Sequence, residues 1–123
     1  MPKAKVLIVD ADVYVAVTLQ QLLTLVDFDV VGVAATVTDA LCLAENTRPD
    51  LAIFNVCVAG DGIDGAATLQ DRLGLPVVFV TAYGDPDTRR RAATVGPFAY
   101  LEKPIHPQHL IKVVEQAAAT AVG

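Results

Sequence analysis

Five apolar runs of strand length alternate along the chain with five stretches of helical period, and this alternation is what most narrows its fold. The runs are 5–10 (KVLIVD), 28–35 (FDVVGVAA), 51–55 (LAIFN), 76–81 (PVVFVT) and 98–101 (FAYL). They are nearly continuous in aliphatic and Phe side chains, as strands covered on both faces are. Between them, Val15, Leu19, Leu22, Leu23 and Val26 share one helical face, and Val37, Ala40, Leu41 and Ala44 share another. Repeated βα units of this kind fold as a parallel sheet between two layers of helices. With 123 residues, 54% of them apolar and no Trp, the chain is expected to form a single domain over 1–123 around an aliphatic core.

The last helix is the most regular, with Leu110, Val113, Val114, Ala117, Ala118 and Ala121 at helical spacing and Pro107 suited to its first turn. A shorter helix is predicted from Ala66 to Leu73. The helix after the fourth strand starts with Asp85 as N-cap and Pro86 at its first position. It carries Arg89, Arg90 and Arg91 with few apolar residues, so it is expected to be the loosest of the five.

Charge and hydropathy exclude several functions. A net charge of −5 argues against direct binding of nucleic acid, which needs clustered Lys and Arg to neutralise phosphates. No run approaches the roughly 18 apolar residues of a membrane span, and the N-terminus enters a strand directly instead of a signal peptide. A cytoplasmic protein without membrane contact is the expectation. Cys42 on a helix and Cys57 in a loop lack metal-ligand spacing and are expected to be free thiols.

In open parallel sheets, ligands bind beyond the carboxyl ends of the strands. Here those ends carry Asp10, Ala11 and Asp12 after the first strand, Asn55 after the third, Thr81 at the fourth, and Lys103 with Pro104 after the fifth. All are therefore expected on one rim. The acidic residues after "VLIVD", the pieces "PDLAIFN" with its following glycine-rich turn, "DG" at Asp64 and Gly65, "PVVFVTAYGD" and "GPFAYLEKP" occur in one order and spacing. Together they resemble the receiver domain of two-component response regulators, CheY-like, over essentially the whole chain.

The resemblance implies a flavodoxin-like three-layer (βα)5 sandwich, strand order 2-1-3-4-5, and a phosphorylation switch. In this family an aspartate ending the third strand accepts a phosphoryl group from a histidine kinase, assisted by Mg²⁺ held on acidic residues after the first strand. Carried over, the phosphoacceptor position is Asn55 and the acid pocket is Asp10, Ala11 and Asp12. The backbone carbonyl ligand falls on Cys57, the switch hydroxyl on Thr81, the rotating aromatic on Tyr100, and the phosphate-contacting lysine on Lys103, followed by Pro104.

Two departures fall on the reaction itself. The Asn55 amide is neutral and is not a nucleophile that forms an acyl phosphate. Ala11 stands where the family keeps a carboxylate on the metal, and Mg²⁺ requires hard oxygen ligands in near-octahedral geometry. Three carboxylates and a lysine would leave a net charge of about −2 for a divalent cation to relieve, whereas Asp10 and Lys103 alone sum to zero, or to about −1 if Asp12 also points inward. Mg²⁺, if held at all, would use Asp10, Asn55 and the Cys57 carbonyl, and its binding is expected to be weak or absent. No other cofactor is expected.

Several of these residues have simpler readings. Asp12 suits the N-cap of the first helix, and Asp61 and Asp64 suit a turn in which "GDGIDG" supplies positive φ angles. Tyr100 also fits a fixed, half-buried aromatic. His106 and His109 make only half of a metal site and are expected to face solvent.

The leading expectation is a stand-alone, non-enzymatic module of two-component phosphorelay signalling, a pseudo-receiver acting through protein contacts without Asp phosphorylation. Its partners would be a histidine kinase, a phosphotransfer protein or a downstream effector. The docking face would include Arg89, Arg90, Arg91, Tyr100 and Lys112, and any output would be delivered in trans. A monomer, or a weak homodimer through the last two helices, is expected. The alternative is an ordinary phosphoacceptor in which Asn55 replaces a natural Asp by engineering or returns to Asp by deamidation, and Ala11 counts against it. A flavodoxin-like enzyme or nucleotide binder is disfavoured because Asp10 and Asp12 would repel phosphate.

Overall fold

A computed structural model describes residues 4–56, 61–82 and 85–122. The strands are β1 (Lys5–Val9), β2 (Asp29–Ala34), β3 (Leu51–Phe54), β4 (Val77–Thr81) and β5 (Ala99–Glu102). The helices are α1 (Val13–Leu25), α2 (Val37–Thr47), α3 (Gly62–Leu73), α4 (Pro86–Val95) and α5 (Pro107–Val122). All strand pairs are parallel, and the order β2-β1-β3-β4-β5 is the one the sequence resemblance implied.

The strand period of two divides the apolar runs between two cores. Val6 and Ile8 of β1, Ile53 of β3 and Val78 and Val80 of β4 point to one face, where Leu19 and Leu23 of α1 and Leu110, Val113 and Val114 of α5 cover them. Leu7, Val9, Phe54, Val77 and Phe79 point to the other, under α2, α3 and α4. Phe54 and Phe79 are fully buried there. Burial of each such side chain contributes roughly 1.5–3 kcal/mol.

The helix faces agree with the sequence periodicity, with Ala16 added to the buried set of α1. Ala121 lies among residues whose side chains are not described. α4 buries only Ala92, which accords with its sparse apolar pattern. Asp12 and Asp85 cap α1 and α4 as predicted, accepting from Tyr14 and Val15 and from Thr88 respectively. Gly74 and Gly96 close α3 and α4 in the left-handed conformation, at φ 64° and 71°. Among the described residues, no helix is long and apolar enough to cross a membrane.

The start of α3 corrects the sequence reading. The helix begins at Gly62, four residues before the predicted Ala66, so Gly62, Asp64 and Gly65 are helical instead of forming a positive-φ turn. Among the described residues of that stretch, only Asp61 has a positive φ, 41°, and it is the N-cap, its carboxylate accepting from the Ile63 and Asp64 amides. The glycines serve close approach. A Cβ on Gly62 would lie 2.7 Å from the backbone oxygens of both Asn55 and Val56, and one on Gly65 would lie 2.8 Å from the methyls of Val37. Helix α3 is thus seated directly on the carboxyl end of β3, beside Asn55.

Candidate functional site

Parallel register sets the site. Val9 pairs with Phe54, Phe54 with Phe79 and Thr81 with Glu102, so the strands end nearly level. The residues just beyond those ends are carried to one rim. The backbone amide of Asn55 donates to Val9 O at 2.8 Å, and that of Lys103 donates to Thr81 O at 2.8 Å. These bonds continue the sheet by one residue and fix where both side chains leave it. Thr81 is completely buried and Asn55 half-buried, while Ala11 is exposed.

Asp10 is the most buried charged residue of the described chain, at 4% exposure. One carboxylate oxygen accepts from the Asp12 backbone amide at 2.9 Å, and the other lies 3.5 Å from Lys103 Nζ. The Asp12 carboxylate is instead committed to the start of α1, accepting from the amides of Tyr14 at 3.0 Å and Val15 at 3.3 Å. The acid pocket therefore offers one carboxylate, already paired with a cation, and an alanine. Mg²⁺ favours several charged or water oxygens in octahedral array, and of the acid pocket's three residues only Asp10 turns a carboxylate toward Lys103. Cys57, whose carbonyl the resemblance assigned to the metal, lies outside the described residues. Among the described residues there is no group of three or more His, Cys, Asp or Glu placed to hold a metal. The peptide bond between Lys103 and Pro104 is cis.

Tyr100 is half-buried, its ring centroid 6.2 Å from that of Phe79 and its planes tilted by 59°. Arg89 covers it, with the guanidinium carbon 5.0 Å from the ring centroid, and also pairs with Glu102 on the next residue but one of β5. Arg90 pairs with Asp87 one turn earlier at 3.0 Å. Arg91 reaches Asp61 at 2.7 Å and so ties α4 to the start of α3. The hydrogen bond from Arg91 holds the Asp61 carboxyl below the ordinary carboxylate range, burial opposes it, and the amides of Asp64 and Ile63 add to the effect. The Asp85 carboxyl is lowered as well, by the backbone amide and then the hydroxyl of Thr88. The arginine run is therefore three separate ion pairs. Lys112 lies on α5 and is exposed.

Sequence reasoning missed the Asp61–Arg91 and Arg89–Glu102 pairs, because their partners are 30 and 13 residues apart and no local spacing brings them together. His106 and His109 are both exposed, and His106 Nδ1 accepts from the Gln108 amide at 3.2 Å near the start of α5. Cys42 is exposed and free.

Comparison with known proteins agrees with this fold. The family described as the response regulator receiver domain matches residues 6–115. The transcriptional regulatory protein PdtaR of Mycobacterium tuberculosis is 34% identical over 116 residues, covering 94% of this chain and 57% of that protein. The phyllosphere-induced regulator PhyR of Methylorubrum extorquens is 30% identical, covering 92% of this chain and 43% of that one. The chain thus spans about half the length of these curated relatives. The crystal structure of the signal receiver domain of a modulated diguanylate cyclase from Desulfovibrio desulfuricans G20 superposes with a TM-score of 0.90 at 35% identity, covering 96% of this chain and 95% of that one.

Proposed function

Since the chain belongs to the response regulator receiver domain family, we propose that it is an atypical receiver that signals through protein contacts without being phosphorylated. The observation that carries this reading is the pairing of Asp10 with Lys103 beside Asn55. The one buried carboxylate of the pocket is neutralised by the lysine, and the acceptor position holds a neutral amide. No metal is needed to relieve repulsion there, and the acceptor position has no carboxylate to take phosphate. The module then catalyses nothing itself. Its conformational state is set by what binds it.

The docking face for a histidine kinase, phosphotransfer protein or effector is proposed at α4, β5 and α5. Arg90 and Lys112 are exposed there, and Arg89 lies over Tyr100. PdtaR and PhyR are named as regulators, and a regulatory output is proposed here on the strength of that kinship alone.

The test is incubation with Mg²⁺ and acetyl phosphate, read by intact mass on four proteins: this chain, Asn55→Asp, Ala11→Asp and the double variant. The expected result is a hydroxylamine-labile phosphoryl adduct on the double variant only. An adduct on the unaltered chain overturns the proposal. An adduct on Asn55→Asp alone would show that Ala11 does not disable the pocket, and would favour the ordinary phosphoacceptor reading.

A further inference from the structure

The five helices are not capped alike. Side-chain oxygens accept from the first free amides of four of them, Asp12 at α1, Thr36 at α2, Asp61 at α3 and Asp85 at α4. Asp and Thr are residue types preferred at that position, and their side chains do not ordinarily change charge between pH 5 and 8. The cap of α5 is His106. Its carbonyl accepts the first bond of the helix, from the Leu110 amide at 3.1 Å, and its Nδ1 accepts from the Gln108 amide at 3.2 Å. Pro107 between them has no N–H to satisfy.

An imidazole nitrogen accepts a hydrogen bond only while it carries no proton, and histidine is the side chain whose charge ordinarily changes between pH 5 and 8. A proton on Nδ1 turns the acceptor into a donor facing another donor, so the bond from Gln108 is lost. It also sets a positive charge at the end of the helix where the free N–H groups already make the potential positive. Both effects act in one direction, with neutral imidazole holding the first turn of α5 and imidazolium releasing it. His106 is exposed, so a proton reaches it without any opening of the fold.

The groups that face His106 do not cancel this. A cavity of about 390 Å³ separates the start of α5 from β5 and α4, and His106 lines it together with Arg89 of α4, Tyr100 and Glu102 of β5 and His109 of α5. Glu102 is the one carboxylate among these residues, and it is paired with Arg89. Lys103, three residues before His106, is held by Asp10, and Lys112 is the next charge along α5 after the two histidines. While both imidazoles are neutral, Arg89 and Glu102 balance each other. With both protonated, the lining reaches a net charge of about +2.

We propose that His106 is a pH-operated cap, which fastens the first turn of α5 while its imidazole is neutral and frees that turn, over the cavity beside Tyr100, as the solution becomes acidic. The stability it contributes is present at high pH and is lost as pH falls through the imidazole range. Release stays local. Gln108 and His109 are exposed, whereas Leu110, Val113 and Val114 are packed on the sheet and keep the rest of α5 in place. The acidification that loosens the turn also makes the cavity cationic, so an acidic segment of a partner is preferred there at low pH. That consequence rests on the docking face proposed above, and the cap itself does not.

Urea unfolding of the whole chain at about pH 8 and about pH 5.5, on either side of the imidazole range, tests the cap. His106→Asn supplies an acceptor that takes no proton, so it keeps a cap on α5 and removes only the titration. Between the two pH values the folding equilibrium constant of the parent should fall about fivefold more than that of His106→Asn, the size of one side-chain cap's contribution. Carboxylates that titrate in the same range act in both proteins and cancel. Backbone NMR places the effect, since the Gln108 amide proton should move upfield as His106 titrates in the parent and hold its position in His106→Asn. His109→Gln should keep the pH dependence of the parent. Equal pH dependence in the parent and His106→Asn overturns the proposal. So does a dependence that disappears in His109→Gln, or a Gln108 amide that does not follow the titration of His106. None of these measurements uses a partner, so the cap is decided separately from the docking face.

Discussion

If Lys103 is what makes Asp10 tolerable in its buried position, then Lys103→Met, which keeps the aliphatic stem and removes the charge, should destabilise the fold. At 3.5 Å the attraction between the two charges is about 1 kcal/mol in bulk water and about 5 kcal/mol at an effective dielectric near 20. The site lies between those limits, since the Asp10 side chain is 3% exposed but that of Lys103 is 24% exposed. Leaving a fully buried charge without its partner costs about 3–5 kcal/mol, and the part-exposed lysine lowers the expected loss to about 1–3 kcal/mol. Asp10→Asn keeps an oxygen that can accept from the Asp12 amide, so in that background Lys103→Met should cost little. Urea unfolding of the four proteins of this cycle should return a coupling of about 1–2 kcal/mol, seen as shifts of midpoint at constant slope. A coupling below about 0.3 kcal/mol, or a Lys103→Met protein more stable than its parent, would refute the claim that the lysine satisfies Asp10 and with it the account of a pocket neutral without metal.

Two further outcomes are expected. Gly62→Ala should lower stability by about 1–3 kcal/mol, because the new Cβ meets backbone oxygens at 2.7 Å that cannot turn aside, and this exceeds the gain of about 1 kcal/mol in helix propensity. Gly65→Ala meets side-chain methyls of Val37 instead and should cost less, with both read from thermal midpoints. Asp61 provides a pH test. Its carboxyl is lowered in the folded chain, so its contribution is present above the ordinary carboxylate range near pH 4 and is lost as pH falls through the lower folded value. Arg91→Met should therefore flatten the acid limb of the stability profile below about pH 4, by less than about 1 kcal/mol because both side chains are around half exposed, while an unchanged limb would count against the pair.

Much of the site could be read before any coordinates, and the reason is chemical. Asp10, Asn55, Thr81 and Lys103 each follow an apolar run, and in a parallel sheet the ends of such runs must share a rim. The role of Asp12 was ambiguous on paper, because a carboxylate before a helix can cap it or turn toward the pocket. The helix took it, with two amides in reach. The "GDGIDG" stretch misled because glycine there answers a steric demand from Asn55 and Val56 instead of a dihedral one, and composition cannot distinguish the two.

Periodicity and residue order were enough for the five βα units and the sequence of strand ends, and the resemblance to receiver domains marked Ala11 and Asn55 as departures. These are local properties of the chain, carried by which residue follows which. The tertiary structure decided which charges are paired. Arg91 found Asp61 from 30 residues away and Lys103 found Asp10 from 93, because parallel strands and helix packing bring together positions that sequence separation hides. It also decided that the charge-free run from Val13 is an exposed face instead of one more buried helix. Hydrophobicity states how much a residue gains by leaving water, and only the packing of α1 on the sheet determines which of its apolar residues do so.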